Sequence, residues 1–83
     1  MEYSKMTISD LAEEILLDWA KPNFAAKPYL YAMLSIKSIQ GMYGADSASS
    51  VVAYFLGNAR TWRGTVAKAI KAELNQRLRL TIK

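Results

Sequence analysis

The 83-residue sequence contains neither cysteine nor histidine, and each absence removes a class of chemistry. Without cysteine there is no disulfide framework and no thiolate zinc site, so packing must hold the fold, which suits a reducing cytoplasm. Without histidine the commonest general base and metal ligand is missing, which excludes His-dependent triads and the usual zinc hydrolase sites. No stretch approaches the ~18 uninterrupted apolar residues of a bilayer span. The opening MEYSKMTISD lacks a basic segment followed by an apolar run, so a soluble, unexported protein is expected. There is no internal repeat, low-complexity run or Gly/Ser-rich linker to divide the chain, which predicts one domain over residues 1–83.

What is present is apolar surface. Hydrophobic residues make up 52% of the chain, including two Trp, five Tyr and two Phe, enough to offset chain entropy on collapse. A chain this short buries only roughly 60 to 65% of its unfolded surface, so one core is expected. The net charge of +4 is unevenly spread. Residues 1–18 hold Glu2, Asp10, Glu13, Glu14 and Asp18 against Lys5, whereas residues 19–83 hold ten bases against Asp46 and Glu73. Such polarity implies either internal neutralisation or an acidic partner for the second part.

Apolar periodicity predicts an all-α fold, a compact bundle of about four short helices. Ile8, Leu11, Ala12, Ile15, Leu16 and Trp19 recur on one stripe. Thr7 with Asp10 forms a capping pair, and Met6 is placed to staple onto Leu11; Lys21, Pro22 and Asn23 end this first helix. Pro28 suits the start of a second helix, in which Tyr29, Ala32, Met33, Ile36 and Ile39 share a face widened by Leu30 and Leu34. Gly41 and Gly44 frame a turn, and Asp46 is read as the N-cap of a third helix with Ala48, Val51, Val52, Phe55, Leu56 and Ala59 inward. Residues 58–61 break the pattern. Thr61 is read as the cap of a fourth helix whose inner stripe is Trp62, Val66, Ala69, Ile70, Leu74 and Leu78. The terminal LRLTIK alternates with period two, leaving a short strand or a disordered tail open for residues 78–83.

The basic stretch NARTWRGTVAKAIKAELNQRLR, residues 58–79, carries the functional question. On the fourth helix Lys68, Lys71, Asn75 and Arg79 form one stripe, which reads either as a solvated face or as a contact face. Arg77 lies nearer the apolar side and can pair with Glu73 in the favourable Glu-first order. Arg60 and Arg63 flank the predicted helix start, where the dipole disfavours cations; Glu13, Glu14 and Asp18 could compensate them internally, or an external anion could. Ala53 and Gly57 have the offset of a helix-turn-helix over residues 52–79, although Asn58 and Arg63 stand where apolar residues belong. Trp19 and Trp62 fall on apolar stripes and read as core, while Tyr31 and Tyr43 are candidate surface anchors. Ser47, Ser49 and Ser50 have no base to activate them and read as cap and first-turn residues. Asp10, Glu13 and Glu14 lack the alternating oxygen ligands of a cation loop. No metal, no cofactor and no catalysis are therefore expected.

The segments KPYLYAML, MYGADSASSVVAYFLGNARTWRG and AKAIKAEL, spanning residues 27–74, resemble small hypothetical proteins encoded by bacteriophages and prophages. The resemblance covers over half of the chain and brings no functional residues with it. It implies the cytoplasm of a bacterial host and work by binding: a non-catalytic inhibitor of a host defence machine, anti-CRISPR-like, that engages a host protein or nucleoprotein complex. Many such inhibitors imitate nucleic acid with acid; this basic chain departs from that pattern. Its expected contact face is Arg60, Arg63, Lys68, Lys71, Asn75 and Arg79, with Tyr31 or Tyr43 as anchor. The alternative is a small basic DNA-binding regulator that reads duplex through residues 52–79.

Overall fold

The computed structural model describes residues 2–44 and 46–81. A 3-10 turn over Tyr3–Lys5 leads into α1 (Ile8–Asp18), α2 (Lys27–Met33), a hairpin of β1 (Met42–Tyr43) and β2 (Asp46–Ser47), α3 (Ala48–Gly57) and α4 (Thr65–Thr81). No described helix is long and apolar enough to cross a membrane.

The predicted capping pair starts α1. The Asp10 N–H donates to Thr7 Oγ1 at 3.0 Å and the Thr7 N–H donates to Asp10 Oδ2 at 3.2 Å, satisfying two helix-end donors reciprocally. Ile8, Leu11, Ala12 and Ile15 are fully buried, with Leu16, Trp19 and Met6 packed against the core. Pro28 lies in the first turn of α2 as expected, but α2 stops at Met33 rather than reaching Ile39. Its end tightens, with the Ser35 and Ile36 N–H groups donating to Ala32 and Met33 three residues back. The chain then crosses the start of α1, where the Lys37 carbonyl accepts the Ile8 N–H at 3.1 Å and satisfies another of the free donors every helix start exposes. Ile36 is still buried, now from a loop.

The hairpin pairs Met42 with Ser47 and Tyr43 with Asp46, turning at Gly44 with φ +61°, a left-handed conformation that glycine adopts freely. Its second strand changes the expected cap of α3. Ser47, extended at φ −76° and ψ 150°, accepts the Ser50 N–H, so the cap is Ser47 and not Asp46. Ala48, Val51, Val52 and Phe55 point inward from α3 as predicted.

The fourth helix begins later than the sequence predicts. Thr61 does not cap it, because Gly64 at φ +118° interrupts helical geometry and α4 starts at Thr65. Trp62 is therefore a loop residue, folded inward with its N–H on the Ala59 carbonyl at 3.1 Å. The buried stripe rotates accordingly to Ala67, Ile70 and Leu74, with Val66 and Leu78 at its border, and Ala69 is exposed. At the far end Arg77 holds the helix down. Its Nε donates to Glu73 Oε2 at 2.7 Å and its Nη2 to the Tyr3 carbonyl at 2.9 Å, with both ionic side chains largely sheltered. So fixed, the helix runs through residues 78–81 where a strand or disordered tail was open; residues 82 and 83 lie outside the described residues.

One core joins the helices. α2 packs on α1 and α3, while α4 packs on α1, α3 and the Tyr3–Lys5 turn. At its centre the Trp19 and Trp62 rings stack with centroids 5.9 Å apart and planes 11° apart, and Phe55 meets both at 6.4 and 6.3 Å, within the range in which aromatic pairs attract.

Candidate functional site

The connection between α3 and α4, residues 58–64, is anchored from three sides. Asn23 Nδ2 donates to the Asn58 carbonyl at 2.8 Å, tying it to the α1–α2 link. Trp62 is buried, at 2% exposure, and its Nε1 donates to Asp18 Oδ2 at 2.8 Å. From α4, Lys71 Nζ donates to the Trp62 carbonyl at 2.6 Å and lies 5.7 Å from the centre of the Trp62 ring, a cation–π arrangement. Because Asp18 and Lys71 fix Trp62 and Asn23 fixes Asn58, the backbone that carries Arg60 and Arg63 is held in place.

Around this anchor is a shallow hollow of about 330 Å³ lined by Trp62, Arg63, Gly64, Ala67, Lys68 and Lys71. Arg63, Lys68 and Lys71 bring three cations to one concavity at the start of the longest helix, the end where unpaired backbone N–H groups already carry partial positive charge. Arg60 is exposed on the same connection. The expected internal compensation by Glu13, Glu14 and Asp18 does not form: Asp18 binds the Trp62 indole instead. Among the described residues the ion pair present is Arg77–Glu73, and no carboxylate lies within ion-pair distance of Arg60, Arg63 or Lys68. Mutual repulsion registers at Lys71, which burial first, and the Arg63 charge second, push below its ordinary value.

The predicted contact residues thus divide. Arg63, Lys68 and Lys71 share the hollow, with Arg60 on the connection that forms its rim. Lys71 is partly spent on Trp62 and is half-buried, so it is less available than the sequence suggests. Asn75 is exposed and donates to the Lys71 carbonyl one turn back at 2.9 Å. Arg79 is exposed but about 16 Å further along the helix than Lys68, at ~1.5 Å per residue. Tyr31, 52% exposed, belongs to α2, which packs chiefly on α1 and α3. The side chain of Tyr43 lies outside the described residues. What the sequence did not disclose is that Trp62 anchors the hollow and that Gly64, at φ +118°, sets the start of α4 beside it; the Trp-Arg-Gly order held the only hint.

The helix-turn-helix geometry is not reproduced. Seven residues, 58–64, separate α3 from α4, against the three or four of the motif, and Gly57 ends α3 without the positive φ that marks such a turn. Trp62 fills the space between the helices instead. Among the described residues no cluster of acidic side chains could hold a metal ion.

Set beside known proteins, the chain matches no family model, and no curated protein or solved structure shows significant similarity to it.

Proposed function

We propose that this protein is a non-catalytic binding module of a bacterial host's cytoplasm that docks an anionic surface of a host protein or nucleoprotein complex through Arg60, Arg63 and Lys68. The observation that carries this reading is the convergence of uncompensated cations on the hollow beside Trp62. Like charges gathered at a positive helix end repel one another, and a partner carboxylate or phosphate relieves that repulsion on binding. Guanidinium groups suit the role because their planar donors grip either anion bidentately. The anchored Trp62 limits the ordering entropy that docking costs.

The choice of partner rests on the expectation, drawn from the sequence alone, that residues 27–74 are of phage or prophage type. On that reading the protein would obstruct a host machine, and a nucleic-acid-handling defence complex presents both acidic protein patches and phosphates. Inhibition of such a complex is the activity proposed.

The test is capture from bacterial extract with tagged wild type and the double variant Arg60→Glu/Arg63→Glu, with helical content followed by circular dichroism. Retention of a defined complex by wild type and its loss by the folded variant supports the reading. Equal capture by both rejects it.

A further inference from the structure

A second and larger concavity lies between α2 and α3. It encloses about 510 Å³ and is walled by Pro28, Tyr29, Ala32, Val51 and Tyr54, with Asp46 and Ser50 supplying its polar side. That volume falls within the roughly 300–1,000 Å³ typical of small-molecule sites, as does the lining of apolar and aromatic groups with few polar ones.

Asp46 is the feature that packing and capping leave over. The N-cap of α3 is Ser47, and among the described residues the Asp46 carboxylate joins no ion pair or side-chain hydrogen bond. Only two acids follow residue 18 in this basic chain, Asp46 and Glu73, and Glu73 is taken by Arg77. The remaining one lines this cavity. On the same lining the Tyr29 and Tyr54 rings stack with centroids 5.4 Å apart and planes 29° apart, and the outer faces of such a stack carry negative charge density that attracts cations. A carboxylate, two electron-rich rings and apolar walls complement one ligand chemistry. An anion would be repelled, and a neutral apolar molecule would strip water from Asp46 without giving it a partner.

We propose that this cavity binds a small organic cation, an ammonium group carried on an aromatic or aliphatic body. Asp46 is its counter-ion, Tyr29 and Tyr54 face the charge, and Pro28, Ala32 and Val51 receive the apolar part. This site is separate from the basic hollow and does not depend on its function.

Titration of the isotopically labelled full chain with 2-phenylethylammonium, followed by amide NMR shifts, tests the proposal against 2-phenylethanol, a neutral probe of similar shape. Saturating shifts are expected at Ala32, Ser50, Val51 and Tyr54, with the alcohol weaker by about two- to fivefold, the scale of one favourable charge contact. Asp46→Asn should bring the ammonium toward the level of the alcohol while leaving the helices intact, since Ser47 holds the cap; Tyr54→Leu should weaken it by roughly two- to fivefold. Equal affinity for the two probes, undiminished binding by Asp46→Asn, or no shifts at these residues at ~10 mM ammonium, some tenfold above a weak ~1 mM dissociation constant, overturns it.

Discussion

Asp18 and Trp62, 44 residues apart in sequence, are joined by a 2.8 Å hydrogen bond from the indole Nε1–H to the carboxylate. The bond closes the aromatic centre of the core and holds Asp18 on the indole, outside ion-pair distance of the arginines beside Trp62. Structure and surface charge are coupled through this one carboxylate. Asp18→Ala, which strands a largely buried N–H, should cost about 1–3 kcal/mol in denaturant unfolding. Asp18→Asn keeps an acceptor and should cost less. Trp62→Ala should cost more than either, about 3–5 kcal/mol, because it empties the core centre.

Two glycines should respond to alanine with opposite signs. An added Cβ meets no atom within 4 Å at either Gly57 or Gly64, so backbone conformation alone decides. Gly64 has φ +118°, which an L side chain resists; Gly64→Ala should destabilise by about 1–3 kcal/mol. Gly57 ends α3 without positive φ, and Gly57→Ala should stabilise by about 0.4–1 kcal/mol by restricting the unfolded chain. Paired thermal melts check both signs.

The ammonium of Lys71 reports its burial first and the neighbouring Arg63 charge second. Its pKa lies below the ordinary 10.5 because of burial and then Arg63, so in the window between the two values the native state holds fewer protons than the unfolded chain and Lys71 makes stability rise with pH. NMR titration of the Lys71 side chain should show its pKa moving up in Arg63→Gln, toward but not to 10.5, since burial remains. No change would mean that Arg63 faces away from the hollow.

Duplex DNA offers a further check. If the basic cluster meets phosphates without reading bases, binding should be sequence-independent, with a log-affinity against log-salt slope of about −2.7 for the three contacts of Arg60, Arg63 and Lys68. A strong preference for one operator-like sequence, about 10³-fold or more over random duplex, would instead favour the regulator reading through residues 52–79, despite the seven-residue connection.

Local signals were legible in the sequence wherever a single helix decides them. The Thr7–Asp10 box, the inward stripes of α1 and α3, Pro28 at the start of α2 and the Glu73–Arg77 pair all depend on spacing within a few residues. What escaped depends on residues distant in sequence. Lys37 is drawn to the start of α1 and ends α2 early, and the short hairpin passes the cap from Asp46 to Ser47. Trp62 leaves the helix to reach Asp18, which shifts the start and the face of α4. The candidate site shows the same division. Its basic residues were visible as a pattern, but Asp18 engaging the indole and Lys71 engaging the Trp62 carbonyl follow only from the fold.

The most direct measurement is the melting temperature of Arg63→Glu taken together with its capture of the host complex. A carboxylate there sits at the favourable end of α4 and next to Lys71, so the variant should melt roughly 2–6 °C higher than wild type while losing its partner, the signature of a charge kept for binding at the expense of the fold. A lower melting temperature with capture retained would contradict the proposal, because Arg63 would then be serving the structure and not a partner.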